Sequence, residues 1–249
     1  MDKIYYEEYF DLERNHWWFR ARKEIINSLL KKNVTGNNNQ VLNVGAATGE
    51  TSAWLSAYGR VTSIEYEKDC CDFVKQKLNL DFIPASITEL PFPENKFELV
   101  TAFDVIEHVE DHYKAVTEMI RVCKPGGLVA ITVPAFEFMW SRHDDINHHQ
   151  RRYRIDELKK LFVGQKGKII FKSYFNTMLF LPVALTRMLA NIFPFIVNRK
   201  GSGSDFSYSG GSVFTFLFYR LMKSESFWLR NGISFPFGIS LILLFRKEK

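Results

Sequence analysis

Between Gln40 and Pro134 the chain alternates short β-rich runs with helical ones, and this alternation constrains the fold more than any other feature. The runs "QVLNV", "RVTSIEY", "DFIPA", "FELVTAF" and "LVAITV" read as strands. Between them, "TSAWLSAYG", "KDCCDFVKQKL" and "DHYKAVTEMIRVC" carry apolar residues at helical spacing, and Pro125-Gly126-Gly127 ends the last. Strands joined through helices pair in parallel, with the helices packed on both faces of the sheet. The expectation is an α/β fold, a Rossmann-like doubly wound sheet. A composition of 46% apolar and 24% charged residues is that of an ordinary folded globule with a sizeable core.

The flanks set the domain organisation. "YYEEYFDLERNHWWFRARKEIINSLL" reads as one or two helices, so residues 1–39 are expected to form an N-terminal helical lid and residues 40–175 the core. "IDELKKLF" is a helix and "GKIIFKSYF" a strand, but the next strand-like run, "GISLILLFRK", belongs to residues 235–249. Residues 176–234 intervene as an amphipathic helical insertion. It holds two apolar stretches, "MLFLPVALTRMLANIFPFIV" and "SVFTFLFYRLM", around a linker, "RKGSGSDFSYSGG". This insertion carries six basic residues against Asp205 and Glu225, so most of the net charge of +5 sits there. Pro182, Arg187, Asn191 and Pro194 interrupt the first stretch, which argues against a bilayer span of ~20 apolar residues. Two readings stay open. The insertion is a cap buried on the domain's own core or in a homodimer interface, or it is a peripheral membrane contact, with Phe193, Phe195, Phe227 and Trp228 close to basic residues.

No run of Lys and Arg is interleaved with aromatics, so a nucleic-acid partner is not expected. Cys70, Cys71 and Cys123 give neither a disulfide framework nor a zinc spacing and read as reduced thiols. "MDKIYYEEYF" is acidic and aromatic where a leader would be basic and then apolar, so a cytoplasmic location is expected, peripheral at the inner membrane face if the insertion meets lipid.

The turn "VLNVGAATGE", Val41 to Glu50, is a strand running into small residues that open a helix, the form of a nucleotide cradle. Against G-x-G-x-x-G it keeps Gly45 but places Ala47 and Glu50 where the other glycines belong, so an NAD(P)-dependent oxidoreductase fits poorly. A carboxylate at the helix start also disfavours a phosphate there. A nucleoside with a positive sulfonium and no phosphate meets these conditions, which points to S-adenosyl-L-methionine. Glu65, at the end of the second strand, stands where the ribose hydroxyls need an acceptor.

From Gln40 to Phe162 the sequence resembles a class I S-adenosylmethionine-dependent methyltransferase of the small-molecule type 11/12 branch. "VLNVGAATGE" is similar to its first motif, "ITELPFPENKFELVTAFDVIEHVED" to its central block and "RVCKPGGLVAITVP" to its post-strand signature. The resemblance implies a seven-stranded sheet whose last strand is antiparallel, with Gly167 to Phe175 sixth, Gly238 to Lys247 seventh, and the apolar insertion in the hairpin between them. It implies that Gly45, Ala47 and Gly49 line the methionine and ribose part of the cofactor, with Glu65 on the ribose. Ser86 and Ile87 would lie beside the adenine, with Phe103 and Asp104 under the cofactor. Asn43, Ala47 and Ser86 depart from the family's acid, glycine and aspartate.

Methyl transfer to oxygen needs an acceptor held in line and a group that takes its proton. One candidate set is Asp104, Glu107 and His108 in "DVIEH". This arrangement also resembles a metal-binding element of some ubiquinone-pathway and RNA-end methyltransferases, with Asp in place of their first Glu, and no metal is expected here. The second set lies in "WSRHDDINHHQRRYRIDEL". His149 is the first choice for proton acceptor and His143 the second, with Arg151, Arg152 and Tyr153 orienting the acceptor. The bland alternative is a salt-bridge knot with "RNHWWFRAR". Trp18, Arg20 and Trp140 are further candidate pocket walls. The expected activity is O-methylation of a hydrophobic, quinone-like or carrier-linked saccharide acceptor at the cytoplasmic membrane face. The rival from another class is a non-catalytic module that binds the cofactor or docks a partner.

Overall fold

The computed structural model describes residues 3–192 and 212–249. The linker "RKGSGSDFSYSGG", Phe193, Pro194 and Phe195 lie outside the described residues.

Seven strands form one mixed sheet in the order β3-β2-β1-β4-β5-β7-β6. β1 (Asn39–Val44) pairs in parallel with β2 (Gly59–Glu65) and β4 (Phe97–Phe103), so Val41 stands beside both Val61 and Leu99. β3 (Ile83–Pro84) extends β2, and β5 (Cys123–Pro134) extends β4, all in parallel. β7 (Ser240–Lys247) then inserts antiparallel between β5 and β6 (Gly167–Phe175). The expected hairpin insertion is therefore present, with both of its helices, α8 (Phe180–Ile192) and α9 (Ser212–Arg230), inside the β6–β7 connection.

Alternation along the strands divides the core into two layers. On one face Val100, Ala102, Val129, Ile131, Leu241 and Leu243 pack on α5 (His112–Val122) and α7 (Ile155–Lys160), through Val116, Met119 and Leu158. Opposite them Val41, Leu99, Leu128, Ala130, Ile242 and Leu244 pack on α2 (Trp17–Asn33) and α9. The N-terminal 39 residues are thus not all lid. α1 (Lys3–Asn15) lies against the cradle turn, whereas α2 buries Ile25, Ile26, Leu29 and Leu30 on the sheet. Each such side chain contributes on the order of 1.5–3 kcal/mol of burial, so α2 belongs to the core. Their i, i+1, i+4, i+5 spacing is an amphipathic stripe that a lid alone would not need.

α9 runs eight residues further than "SVFTFLFYRLM" suggests, because Glu225 and Leu229 find buried partners. Glu225 accepts from the Met178 amide at 3.1 Å, tying the end of α9 to the segment that follows β6. Cys70, Cys71 and Cys123 are buried free thiols. No described helix is long and apolar enough to cross a membrane.

Candidate active site

The first strand ends where the chain must turn sharply over the sheet. Gly45 has φ +65, and a Cβ there would meet Val105 Cγ2 at 2.4 Å, so both its backbone shape and its space require glycine. Ala47 takes φ +44, a left-handed conformation that the family fills with glycine and that alanine adopts under strain. Its amide is held at 2.9 Å by Glu65 Oε2, while Glu65 Oε1 accepts from the Tyr66 amide at 2.8 Å. The carboxylate expected on the ribose is therefore fixed by backbone before any ligand arrives. Asn43 is buried under the turn, donating to Ser52 at 2.9 Å and accepting from Thr101 at 3.1 Å, a neutral polar knot in place of an acid.

α1 closes the outer side of the turn. Thr48 donates to Glu13, and Arg14 reaches the Thr48 carbonyl at 3.2 Å. Burial raises the Glu13 carboxyl to about 7, an effect that the Thr48 hydrogen bond only partly offsets.

A cavity of about 970 Å³ begins at this cradle and runs to the far end of the sheet. Its volume is at the upper end of the range for small-molecule sites, enough for a nucleoside cofactor and a second ligand. Gly45, Ala47, Glu65, Ser86, Ile87, Asp104, His108, His143, His149, Arg152 and Trp18 all line it. The cradle, the oriented Glu65 and this space fit S-adenosyl-L-methionine.

Six expected site residues lie off the cavity, among them Arg151, whose guanidinium donates to the Glu110 carbonyl at 3.2 Å. Gly49, at φ +93, is the N-cap of α3 (Glu50–Leu55). Phe103 stacks on Trp54 at 6.0 Å in the opposite core layer. Arg20 is exposed, with its guanidinium 5.2 Å from the Tyr219 ring of α9. Trp140 donates to Asp145 at 2.8 Å. Tyr153 is buried, donating to the Ile106 carbonyl and bonded to His112 Nδ1 at 2.8 Å, so it braces the loop after β4 and does not orient a ligand.

Two residues reach the cavity in roles other than those expected. Asp104 is ion-paired with Arg22 of α2 at 2.6 Å and accepts from Thr132 at 3.1 Å, which makes it an anchor between α2 and the sheet. Arg152 spends its guanidinium on Asp144, Nε to Oδ1 at 2.8 Å and NH2 to Oδ2 at 3.0 Å, and on the Ala135 carbonyl at 3.1 Å. It positions a neighbour, with each of its three guanidinium nitrogens bonded to protein oxygen.

That neighbour is the key to the acceptor end. Asp144 is buried on α6 (Arg142–Ile146), an element that "SRHDDI" forms through a capping box with Ser141. Burial alone would push its carboxyl up, but the hydrogen bond from His149 and the Arg152 charge hold it well below the ordinary carboxylate range. Asp144 Oδ1 meets His149 Nδ1 at 2.8 Å. With Nδ1 donating to a carboxylate, the lone pair of the neutral ring lies on Nε2. The expected knot with the N-terminal helices is replaced by a local one, while Arg22 crosses to Asp104. Asp144 escapes sequence reasoning because a carboxylate in "SRHDD" reads equally well as helix-start polarity; only its distance of eight residues from Arg152 hinted at a pair.

His149 packs edge-on against His108 at 4.7 Å. His108 faces the cavity, and the surrounding protein followed by His149 pushes its pKa down to about 4. Glu107 is fully buried beside them, and neither of its carboxyl oxygens has a hydrogen-bond partner among the described residues. Burial, and then Asp104, raises it well above the usual range and favours the neutral acid. Donor atoms of Glu107, His108 and His149 lie within 4.8 Å of one another, the spacing of a shared cation site, although Asp104 is turned away to Arg22.

A methyltransferase domain family matches residues 42–131. A Mycobacterium tuberculosis protein named "Probable S-adenosylmethionine-dependent methyltransferase" is 29% identical over 157 residues, 61% of this chain and 56% of its own length. The ubiquinone/menaquinone biosynthesis C-methyltransferase UbiE of Psychromonas ingrahamii is 30% identical over 142 residues, 53% of each. The chain spans little more than half the length of these relatives. Among solved structures, the cyclase SpnF superposes with a TM-score of 0.60 at 18% identity, covering 93% of this chain and 82% of that one. A SAM-dependent methyltransferase from Aquifex aeolicus gives a TM-score of 0.52 at 17% identity, covering 70% and 93%. A cyclase and a methyltransferase on one fold show that the fold alone does not decide the reaction. The strand order, the Gly45 cradle facing Glu65 and the matched domain agree: residues 42–131 carry a methyltransferase domain, on a fold shared with S-adenosylmethionine-dependent methyltransferases.

Proposed function

We propose that the protein methylates an oxygen of a hydrophobic or carrier-linked saccharide acceptor at a membrane face, with His149 taking the acceptor's proton. The observation that carries this reading is that one cavity holds both the Glu65 cradle and the His149–Asp144 pair. S-adenosyl-L-methionine, when bound, supplies a methyl group made electrophilic by a positive sulfur. Glu65, Gly45 and Ala47 would hold the nucleoside part, and Ser86 and Ile87 would border the base.

The rest of the chemistry belongs to the chain. Asp144 holds His149 in the tautomer whose Nε2 can receive a proton, and Arg152 keeps Asp144 ionised. His149 Nε2 would take the proton of the acceptor hydroxyl as that oxygen accepts the methyl group, whose bond to sulfur breaks to leave the neutral thioether S-adenosylhomocysteine. Leu179, Val183 and Phe218 of the insertion, with Trp17 and Trp18, give the cavity an apolar wall suited to a bulky acceptor and to excluding water.

A quinone-like ring is the second reading, favoured by the aromatic wall and by the quinone C-methyltransferase named among the relatives. There His149 would take a ring hydroxyl's proton, the ring carbon would accept the methyl as its bond to sulfur breaks, and that carbon would then give up its own hydrogen as a proton, which restores the hydroxyl and the aromatic ring. The position of the methyl group in the product separates the two.

Calorimetric titration with S-adenosylmethionine and S-adenosylhomocysteine, with NADH as control, comes first. Binding of both sulfur nucleosides should weaken about 10- to 100-fold in Glu65→Ala. Turnover on lipid-linked and quinol acceptors should then fall about 10²- to 10⁴-fold in His149→Ala, with cofactor affinity retained. Chelation with EDTA should leave wild-type turnover unchanged; a loss restored by a divalent metal would make His149 a ligand and not the proton acceptor. Tight cofactor binding without turnover on any acceptor would favour the non-catalytic module.

A further inference from the structure

The insertion helices have two faces of opposite use. On α9, Phe218, Met222, Glu225 and Leu229 recur at helical spacing and face inward, with Phe218 on the cavity and Met222, Glu225 and Leu229 buried. The opposite face carries Val213, Leu217, Arg220, Ser224, Phe227 and Trp228, all exposed and again at helical spacing. α8 repeats the arrangement. Val183 and Arg187 line the cavity, while Leu181, Leu185 and Met188 are exposed.

These exteriors hold an unusual share of the apolar surface. Of the nineteen large apolar residues exposed in the described structure, twelve lie between Met178 and Ile233. A soluble face would interleave them with charges of both signs. Here the charge is of one sign. Arg220 and Arg230 are exposed and Lys223 is half-buried, whereas Glu225, the sole acid of either helix, is fully buried. Lys32 of α2 adds a cation at the same end, donating to the Arg230 carbonyl at 2.9 Å.

We infer that the outer faces of α8 and α9 dock the protein on an anionic phospholipid surface. An apolar face whose exposed charges, among the described residues of α8 and α9, are all cations matches a bilayer interface, where side chains enter the acyl boundary and guanidinium and ammonium groups meet lipid phosphates. A second copy of this chain is a weaker match, since an isologous contact would bring Arg220 and Arg230 of one protomer against the same cations of the other. This inference rests on the proposed function for its biological sense: the helices that would touch lipid are the ones that wall the cavity, so a lipid-tailed acceptor could enter without crossing bulk water.

The test is co-sedimentation of the full chain with phosphatidylcholine vesicles, and with phosphatidylcholine vesicles containing phosphatidylglycerol, at low and high salt. Binding is expected to the anionic vesicles, weakened by salt. Each cation at an anionic surface strengthens binding about fivefold, so the triple variant Arg220→Glu, Lys223→Glu, Arg230→Glu should lose at least ~100-fold. Leu217→Ser with Trp228→Ser should lose binding to both vesicle types. All these side chains are at least partly exposed, and cofactor titration of each variant should match the wild type and so report intact folding. Equal, salt-insensitive binding to neutral vesicles overturns the proposal. So does a wild type that ignores vesicles, or light scattering that shows a dimer dissolved by Leu217→Ser. A wild type that binds vesicles but not S-adenosylmethionine would leave the docking face standing and sink the methyltransferase reading.

Discussion

The two ends of the cavity are built by different means. At the nucleotide end the ligand-facing geometry is made by backbone: the left-handed turn at Gly45 and Ala47, and amides that grip Glu65. At the acceptor end it is made by side chains holding side chains, Arg152 on Asp144 and Asp144 on His149. Outside Gly45, which has no room for a side chain, a cradle held by main-chain bonds tolerates a change of side chain, as at Ala47. A chain of buried side chains has no such reserve, because each member is held by the next.

That contrast is sharpest in the largest expected effect. Arg152→Met leaves the Asp144 carboxylate buried without its guanidinium, hydrogen-bonded only by His149 and Ser141, and removing one member of a buried pair costs about 3–5 kcal/mol. Urea denaturation should show that loss, and turnover should fall with it while cofactor affinity in the folded fraction holds. A cost under ~1 kcal/mol would mean that the acceptor end is no more fragile than the cradle.

The next effect lies where α1 meets the cradle. The Glu13 carboxyl is raised to about 7, above its unfolded value, so the native state keeps a proton that the unfolded chain has lost. Stability therefore falls as pH rises from roughly 4.5 to 7 and levels off above that window. Glu13→Gln keeps an acceptor for Thr48 and removes the titration. Thermal or urea unfolding should show no gain near pH 4 and a gain of up to about 3 kcal/mol by about pH 8. A pH-independent difference would show that the burial of Glu13 is not what raises it.

The smallest effect tests the tolerance of the backbone end directly. Ala47→Gly relieves the left-handed strain at the expense of greater unfolded-state freedom, for a net gain of about 0.5–1 kcal/mol. Cofactor affinity should stay within about twofold by calorimetry. A large change in affinity would mean that the Ala47 methyl touches the ligand and that the cradle is read by side chains after all.

The nucleotide end was largely legible in the sequence, and the acceptor end was not. Gly45 and Glu65 occupy positions fixed by a strand, a turn and a crossover, all features with a local signature. Arg22 and Asp104 are 82 residues apart, and nothing in either segment names the other. The histidine cluster is visible, but Arg152 and Tyr153 read as groups that orient the acceptor, and only the folded chain pairs them with Asp144 and His112. Trp140 and Arg20 were misplaced for the same reason: chemical type gave a role, and packing gave a direction away from the cavity.

By itself the sequence determined the alternation of strands and helices, the place of the cradle turn and the break in the β6–β7 hairpin, because hydrophobic period and turn chemistry act over a few neighbouring residues. Tertiary structure alone decided that α2 and α9 cover the sheet, that Asp104 is held by Arg22, and that His149 is held through Asp144 by Arg152. Those outcomes rest on burial and charge pairing between distant segments, which take their value only once the chain has brought the partners together and removed the water between them.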